Sequence, residues 1–428
     1  MFYLAYNIIS IFLILPVMLY HFYRSASRGR KPCFGERFGF IPVEELRKLQ
    51  GKQVIWLHAV SVGETIAAKP LLKALRSRYP DHAIVLSNTT ETGREIASKL
   101  AEKELCIYFP FDFLPAVRRA LKSIQPQIVI IMETEIWPNF NREAARRGIP
   151  LLLANGRISD RSYKRYLKFS WFFRHPLEFF SALCMQTETD RQRIIDIGAP
   201  AVRTIAAGNL KYDIPFRAVP QTEVISLRDQ YRIPQGVTVF TAASTHRGEE
   251  EAVLNCYSQI IQQHKNIFLV LVPRHPERAA EVADLIRLAG LICRRRTSLN
   301  NSDEAFSAGE VLLVDTVGEM MKFYALSDIA FIGGSLVPTG GHNLLEPASL
   351  GIPCMFGPHM SNFREISQMV LQYGAGFQID SVEELSQTCL QLIEDNDLRK
   401  QTAGGAMAMM QSAGGATERH MRLIAEQL

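Results

Sequence analysis

Apolar residues fall along this chain in three patterns. The first is one long run. Residues 1–23 hold no Asp, Glu, Lys or Arg, and Phe2, Leu4, Ile8, Ile9 and the stretch 11–15 make them strongly apolar. A helix of that length can cross a bilayer, and Pro16 within it is tolerated there as a kink. The second pattern is a set of short, continuous apolar runs. They cover 53–60, 83–88, 128–132, 150–154 and 183–186, then 237–243, 268–272, 311–314, 329–332 and 353–356. Continuous rather than alternating apolarity marks strands buried on both faces, as in parallel sheets. The third pattern is helical and fills the gaps: 65–78, 93–99, 140–147 and 191–198, then 249–263, 277–289, 319–326, 343–350, 363–372 and 383–395.

Strands alternating with helices predict an α/β chain. The alternation breaks once, over 213–235, which lacks a long apolar run and carries Pro215, Pro220 and Pro234. The expected organisation is therefore an anchor helix at 1–23, an N-terminal Rossmann-like domain at 24–212, a linker at 213–235 and a C-terminal Rossmann-like domain at 236–428. Two such domains are expected to face each other across a cleft, with ligands at the carboxyl ends of their strands.

Charge refines the first pattern. Arg24, Arg28, Arg30 and Lys31 follow the apolar run, and positive charge on that flank places the rest of the chain in the cytoplasm. A cleaved signal peptide would want cations before the run and a small-residue site after it. The first is missing and Ser25-Ala26-Ser27 is a weak version of the second, which leaves an uncleaved anchor or a half-inserted interfacial helix. The 428 residues are 47% apolar and 21% charged with a formal charge of +5, too small a basic excess to argue for nucleic acid. Seven cysteines are scattered without CxxC or CxH spacing, which argues against a disulfide framework or a zinc site and favours a reducing compartment. No HExxH or EF-hand pattern implies a metal. Residues 157–180 interleave Arg157, Arg161, Lys164, Arg165, Lys168 and Arg174 with Tyr163, Tyr166, Phe169, Trp171, Phe172 and Phe173. That composition fits a helix resting on anionic lipid, or a surface helix whose aromatics enter the core.

Candidate chemistry gathers where apolar runs end. After 53–60 comes Ser61-Val62-Gly63-Glu64, which places Glu64 at a helix start, either as favourable dipole placement or as a general base whose pKa is raised by burial. After 128–132 come Glu133 and Glu135, on one side of an extended chain. Lys211, in Gly208-Asn209-Leu210-Lys211, has the reach to meet a phosphate, although a lone Lys is more often plain surface. In the second half, Ser244-Thr245-His246-Arg247-Gly248 fits an anion site or an ordinary cap. Pro273 and Pro276 stiffen a loop carrying Arg274, suited to phosphate or a base edge. Val317, Gly318 and Glu319 open a helix whose free N–H groups could read a nucleobase. Gly340-Gly341-His342-Asn343-Leu344-Leu345-Glu346 offers close backbone approach, a helix N-terminus from about Asn343 and a carboxylate for ribose hydroxyls. The competing reading is that Asn343 caps the helix and Glu346 closes a capping box.

These motifs, HAVSVGE (58–64), ETEIWPN (133–139), GNLKYD (208–213), STHRGEE (244–250), VPRHPER (272–278) and GGHNLLEP (340–347), with GERFG (35–39), resemble those of the 3-deoxy-D-manno-octulosonic acid (Kdo) transferases of lipopolysaccharide synthesis. The resemblance covers essentially the whole chain. It implies a GT-B fold and an inverting transfer of Kdo from CMP-Kdo to the lipid A precursor (lipid IVA), with no cofactor or metal. The enzyme would sit at the cell inner membrane, by a single-pass anchor with its catalytic domains on the cytoplasmic side. By position, Glu64 matches the general base, and Glu133 and Lys211 match groups that stabilise the transition state. Pro273, Arg274, Val317, Gly318, Glu319, Asn343, Leu344, Leu345 and Glu346 match CMP contacts. Taken without the resemblance, glycine loops with an inner Glu fit another GT-B nucleotide-sugar transferase or an epimerase equally well, and a tethered glycolipid-binding protein would have no need of Glu64.

Overall fold

In the computed structural model, which describes residues 2–27, 32–214, 216–299 and 304–428, each short apolar run becomes a strand of one of two parallel sheets. The chain divides into two compact units, Met1–Asp213 with Ala413–Leu428, and Ile214–Ser412. The first unit holds β1 (Val54–His58), β2 (Ala83–Asn88), β3 (Leu105–Tyr108), β4 (Ile128–Met132), β5 (Leu151–Gly156), β6 (Ala182–Met185) and β7 (Thr204–Ala206). Their spatial order is β3-β2-β1-β4-β5-β6-β7. The second unit holds β8 (Thr238–Thr245), β9 (Ile267–Pro273), β10 (Ile292–Arg295), β11 (Glu310–Leu313), β12 (Ile329–Ile332), β13 (Cys354–Phe356) and β14 (Gly376–Gln378). Their order is β10-β11-β9-β8-β12-β13-β14. All strand pairs are parallel, with His58 beside Ile131 and Ala243 beside Ile332 at the centres.

Every residue of β1, β2, β4, β5, β6 and β9 is buried, as strands covered on both faces must be. The four strands that the apolar pattern does not announce, β3, β7, β10 and β14, are the four sheet edges. An edge strand has one unpaired flank and tolerates short, mixed sequences such as ICRR and GFQ. Among the helices, the expected 65–78 segment is two, Val62–Ala67 and Lys69–Arg78, with Pro70 in the first turn of the second. The expected linker contains a helix, Gln221–Gln230, whose Arg228 bonds Asp328 in the second unit. Pro215 lies outside the described residues.

The apolar N-terminal run forms a helix, Phe2–Ala26, of which Phe2–Tyr23 is long and apolar enough to cross a membrane. One flank is tied to the first unit near both ends. Tyr6 donates to Asp112 (2.8 Å), Asn7 pairs with Asn139 (3.1 Å), and the Phe2 ring meets Phe172 at 5.1 Å. Farther along, His21 meets Phe111 at 5.3 Å and Ser25 donates to Glu91. The opposite flank leaves Leu4, Phe12, Leu15 and Leu19 exposed. The cations expected to follow it, Arg28, Arg30 and Lys31, lie outside the described residues, as does the side chain of Arg24.

Residues 413–428 depart from the expected 236–428 domain. The helix Ala416–Ala425 buries Ala416, His420 and Ile424, spaced four apart, in the first unit's core beside Ala207 and Leu210. Asp213 accepts the Gly415 N–H at its start (2.8 Å). His420 meets two backbone groups at once: Nδ1 donates to Ala416 O (2.7 Å) and Nε2 accepts from Asn155 N–H (3.0 Å). Only the neutral ring satisfies both, and burial pushes its pKa down to about 4.

An unfolded histidine titrates near 6.5. The folded pKa is the lower one, so the stabilisation from His420 is complete above pH 6.5 and shrinks as pH falls toward 4. Urea unfolding at pH 7.5 and pH 5 should show wild type losing about 2 kcal/mol more across that interval than His420→Gln. Equal losses would mean that the ring is not held neutral.

Candidate active site

In the first sheet the winding reverses between β1 and β4, which are neighbours although β2 and β3 intervene in sequence. Such a reversal sends successive loops to opposite faces and opens a crevice at the strands' carboxyl ends. The loop leaving β1 carries Glu64 and the loop leaving β4 carries Glu133. Ser61 caps the helix Val62–Ala67. Its hydroxyl donates to Glu64 Oε1 (2.9 Å), and Val60 N–H donates to Oε2 (2.8 Å). The first-turn placement expected as an alternative is therefore present, but each oxygen keeps a lone pair for a further donor. Glu64 is 8% exposed. Burial raises its pKa, helped by the charge of Glu133, while the Val60 and Ser61 bonds and Lys211 pull it down; the net shift is upward.

Glu133 sits at φ 55°, a left-handed conformation that costs a non-glycine residue roughly 1–3 kcal/mol. Its N–H still closes the sheet on Ala154 O (2.8 Å), so the strand ends there and the extended-chain argument placing Glu133 and Glu135 on one side does not hold. Glu133 Oε1 meets Lys211 Nζ at 3.4 Å. Glu135 feels Glu64 and Glu133, and burial with those like charges raises its pKa to about 7. Lys211 is delivered by a buried amide network. Asn155 Oδ1 accepts from Leu210 N–H (2.9 Å), Asn209 Oδ1 from Lys211 N–H (2.9 Å), and Asn209 donates to Gln186 (3.1 Å). Glu64, Glu133 and Lys211, spread over about a third of the chain, thus form one electrostatic group.

The second sheet reverses between β8 and β12. Gly333, after β12, packs so tightly on the end of β8 that a Cβ there would collide with the Ser244 carbonyl. Ser244 takes φ 55° and the β8–β9 register slips beside it, a bulge of the kind that re-aims side chains next to sites. Glu249, wholly buried, accepts N–H bonds from His246 (2.9 Å), Gly334 (2.7 Å), Ser335 (3.0 Å) and Leu336 (2.9 Å). One carboxylate therefore staples the loops after β8 and β12 together. Around it lie His246 and His342, with Nε2 atoms 2.9 Å apart, and the exposed Arg274 at the end of β9. Neither histidine stood out in the sequence beyond its place in a motif.

The remaining expected contacts take specific forms. Leu344 and Leu345 are buried, so only their backbone is available to a ligand. The helix expected over 343–350 spans Leu345–Ser349 alone. The Asn343 side chain accepts from Leu345 N–H (3.1 Å) and its amide donates to Glu346 (3.2 Å), so the turn is an Asx turn with a short coda, and the dipole argument weakens. Gly340 and Gly341 have φ +101° and +77°, and a Cβ on either would strike Asn362 or Met360. These glycines serve packing against the 359–362 loop. Burial raises the Glu346 pKa against the Asn343 bond. For Glu319, burial raises and the hydrogen bonds of Thr316, Tyr231 and Arg296 lower, and the hydrogen bonds win. Val317 and Gly318 stand open beside it, and no neighbour comes within 4 Å of a Cβ on Gly318.

Residues 33–214 match the family model described as 3-deoxy-D-manno-octulosonic-acid transferase. The chain is 34% identical to a 3-deoxy-D-manno-octulosonic acid transferase of Haemophilus influenzae over 91% of its length and 90% of the relative's. It is 32% identical to one of Bordetella pertussis over 87% of each. Among solved structures, UDP-GlcNAc 2-epimerase from Neisseria meningitidis bound to UDP-GlcNAc superposes with a TM-score of 0.55 at 13% identity, over 87% of this chain and 100% of that one. That likeness is one of fold, the GT-B type.

The Glu64 environment has a signed consequence. Lys211→Ala removes a cation that favours the carboxylate and should move the Glu64 titration, followed by NMR with ¹³C-labelled glutamate, to higher pH. Glu133→Gln removes a like charge and should move it to lower pH. The Lys211–Glu133 pair is partly exposed, so Lys211→Ala should shift the melting temperature by only about 2 °C or less. Shifts of the same sign in both variants would show that the three groups are not coupled.

Proposed function

As the chain belongs to the Kdo transferase family and is a glycosyltransferase, we propose that it moves Kdo from CMP-Kdo to the lipid A precursor with inversion, and that Glu64 is the general base. The acceptor's sugar hydroxyl attacks the anomeric carbon of Kdo as its proton passes to Glu64. The bond from that carbon to the phosphate oxygen breaks and CMP leaves. The donor is already activated, so the leaving phosphate needs charge stabilisation rather than a proton, and Lys211 is the group proposed to supply it. The hydroxyl is a weak nucleophile and gains from a carboxylate base.

The observation that carries this reading is the grouping of Glu64, Glu133 and Lys211 at the reversal of the first sheet. A buried carboxylate with raised pKa, a like charge beside it and one ammonium at 3.4 Å from that neighbour make a tuned base. Glu135, with a pKa of about 7, joins the three as a group that holds a proton near neutrality. For the donor, the supporting features are open backbone at Val317 and Gly318, the exposed Arg274 and the turn at Asn343. We propose that CMP is held there by backbone N–H groups, Arg274, Glu319 and Glu346, whose carboxylates keep lone pairs beyond the bonds they already accept. An epimerase shares the fold, but relatives at 34% and 32% identity over nearly the whole chain favour Kdo transfer.

We also infer attachment to the inner membrane, with the catalytic units on the cytoplasmic face. The apolar flank of the Phe2–Ala26 helix supports this, and its ties to the first unit near both ends favour a helix immersed along the surface over one that crosses. In residues 157–180 the aromatics divide. Tyr163, Tyr166 and Phe173 pack on the core, whereas Phe169 and Trp171 are exposed beside Lys164, Arg165 and Lys168. Both readings of that segment thus apply to different residues, and the exposed set suits an anionic glycolipid surface.

Glu64→Gln should lower Kdo transfer about 10²- to 10⁴-fold while CMP still binds, measured by mass spectrometry of the product and by calorimetry. Near-normal turnover would remove Glu64 from the base role. In vesicle flotation, the full chain should bind anionic vesicles better than neutral ones, and replacing Lys164, Arg165 and Lys168 by serine should erase the difference. A preference that survives the replacement would place the lipid contact elsewhere.

A further inference from the structure

The loops after β8 and β12 bring together two imidazoles that no step above employs. His246 Nε2 and His342 Nε2 are 2.9 Å apart with the rings 10° from parallel. At that distance the two nitrogens share one proton, so one ring donates and the other accepts. Counting protons then fixes what the pair offers outward. Two neutral rings carry two protons: one lies in the Nε2–Nε2 bridge, and the other sits on Nδ1 of the accepting ring. The donating ring's Nδ1 is bare. One additional proton fills it, and the singly charged pair then presents an N–H from both rings.

The surroundings hold the pair neutral until something compensates it. Burial lowers the pKa of both rings, that of His342 to about 4 with help from His246, Arg274 and His275. His246 also faces Glu249, Arg274, His275 and Arg278. Glu249 is occupied by four backbone N–H groups, and Arg278 by Glu250 and Glu281. The His275 ring stands edge-on to His246 at 5.9 Å. Arg274 thus stands beside the pair with no carboxylate partner among these groups, and both rings are only half-buried. The placement is enforced by backbone: a Cβ on Gly334 would lie 3.1–3.2 Å from the His342 ring, so glycine is what lets that ring settle there.

We propose that His246 and His342 form a proton-sharing clamp for an oxyanion of the donor, either its phosphate or the carboxylate of its sugar. The clamp is neutral when empty and takes one proton from solvent as the anion binds, presenting two N–H donors to it. This rests on the donor being bound by the second unit, as proposed above, and adds a binding device at the second reversal point. It also explains why two imidazoles should be held edge to edge by loops that a buried carboxylate staples together.

The test is calorimetric titration of the full-length protein at pH 7.5 in two buffers of different ionisation enthalpy, with CMP, cytidine and CMP-Kdo in turn. For a phosphate ligand, CMP should bind with uptake approaching about one proton and cytidine with none. For a carboxylate ligand, uptake should appear with CMP-Kdo and not with CMP. In either case His246→Asn and His342→Asn, each checked for an unchanged melting temperature, should abolish the uptake and weaken that ligand about tenfold. A second pair, His246→Gln and His342→Gln, serves if an Asn variant unfolds. Binding of CMP and CMP-Kdo without uptake, or uptake that survives in the variants, overturns the clamp while leaving the donor reading intact. Absence of binding by both ligands overturns the two together and is distinguished by the missing heat in either buffer.

Discussion

A parallel sheet wound in one direction from its central strand and then in the other must part its loops at the reversal, because successive crossover connections lie on opposite faces. Both sheets of this chain obey that constraint, between β1 and β4 and between β8 and β12. Everything with chemical potential follows from it. The first reversal brings Glu64 to Glu133, the turn after β7 adds Lys211 to them, and the second reversal brings His246 to His342. The two places also share a mark of local cost. Glu133 and Ser244 are non-glycine residues held in left-handed backbone, a conformation that persists only where surrounding structure over-determines it.

The two sites are held by different means. In the first unit the polar network is made of amides. Asn155, Gln186 and Asn209 pass hydrogen bonds from β5 to the turn that bears Lys211, and His420 closes the network from the far end of the chain. In the second unit a single buried carboxylate, Glu249, does the corresponding work on four N–H groups. Losing it would leave those donors unpaired, at about 1–3 kcal/mol each when buried. The first arrangement leaves carboxylates with raised pKa values, suited to accepting a proton. The second leaves imidazoles with lowered ones, which gain a proton only when an anion arrives.

Much of this was legible from residue order. Buried central strands announce themselves by unbroken apolar runs, and the residues that follow such runs are those at the active edge, which is why Glu64, Glu133 and Arg274 could be picked out and why the family motifs fall there. Edge strands such as Ile292–Arg295 carry no such signal, since half of their backbone faces away from the sheet. No helix was expected at 416–425, and nothing local says that its buried face belongs against Leu210 rather than against the second sheet. Gly340 and Gly341 were read as room for a ligand, whereas they make room for Asn362 and Met360; a glycine signals close approach without saying of what. The His246–His342 contact joins residues nearly a hundred positions apart and is visible only once the strand order is known.

The central claim is that the donor nucleotide is recognised by the loops at the carboxyl edge of the second sheet. Hydrogen–deuterium exchange of the full chain with and without CMP measures it directly. The account predicts slowed exchange in 244–248, 273–275, 317–319 and 340–346, with the loops after β1 and β4 unchanged. Protection confined to the loops around Glu64 and Glu133, with those four segments unaffected, would contradict it.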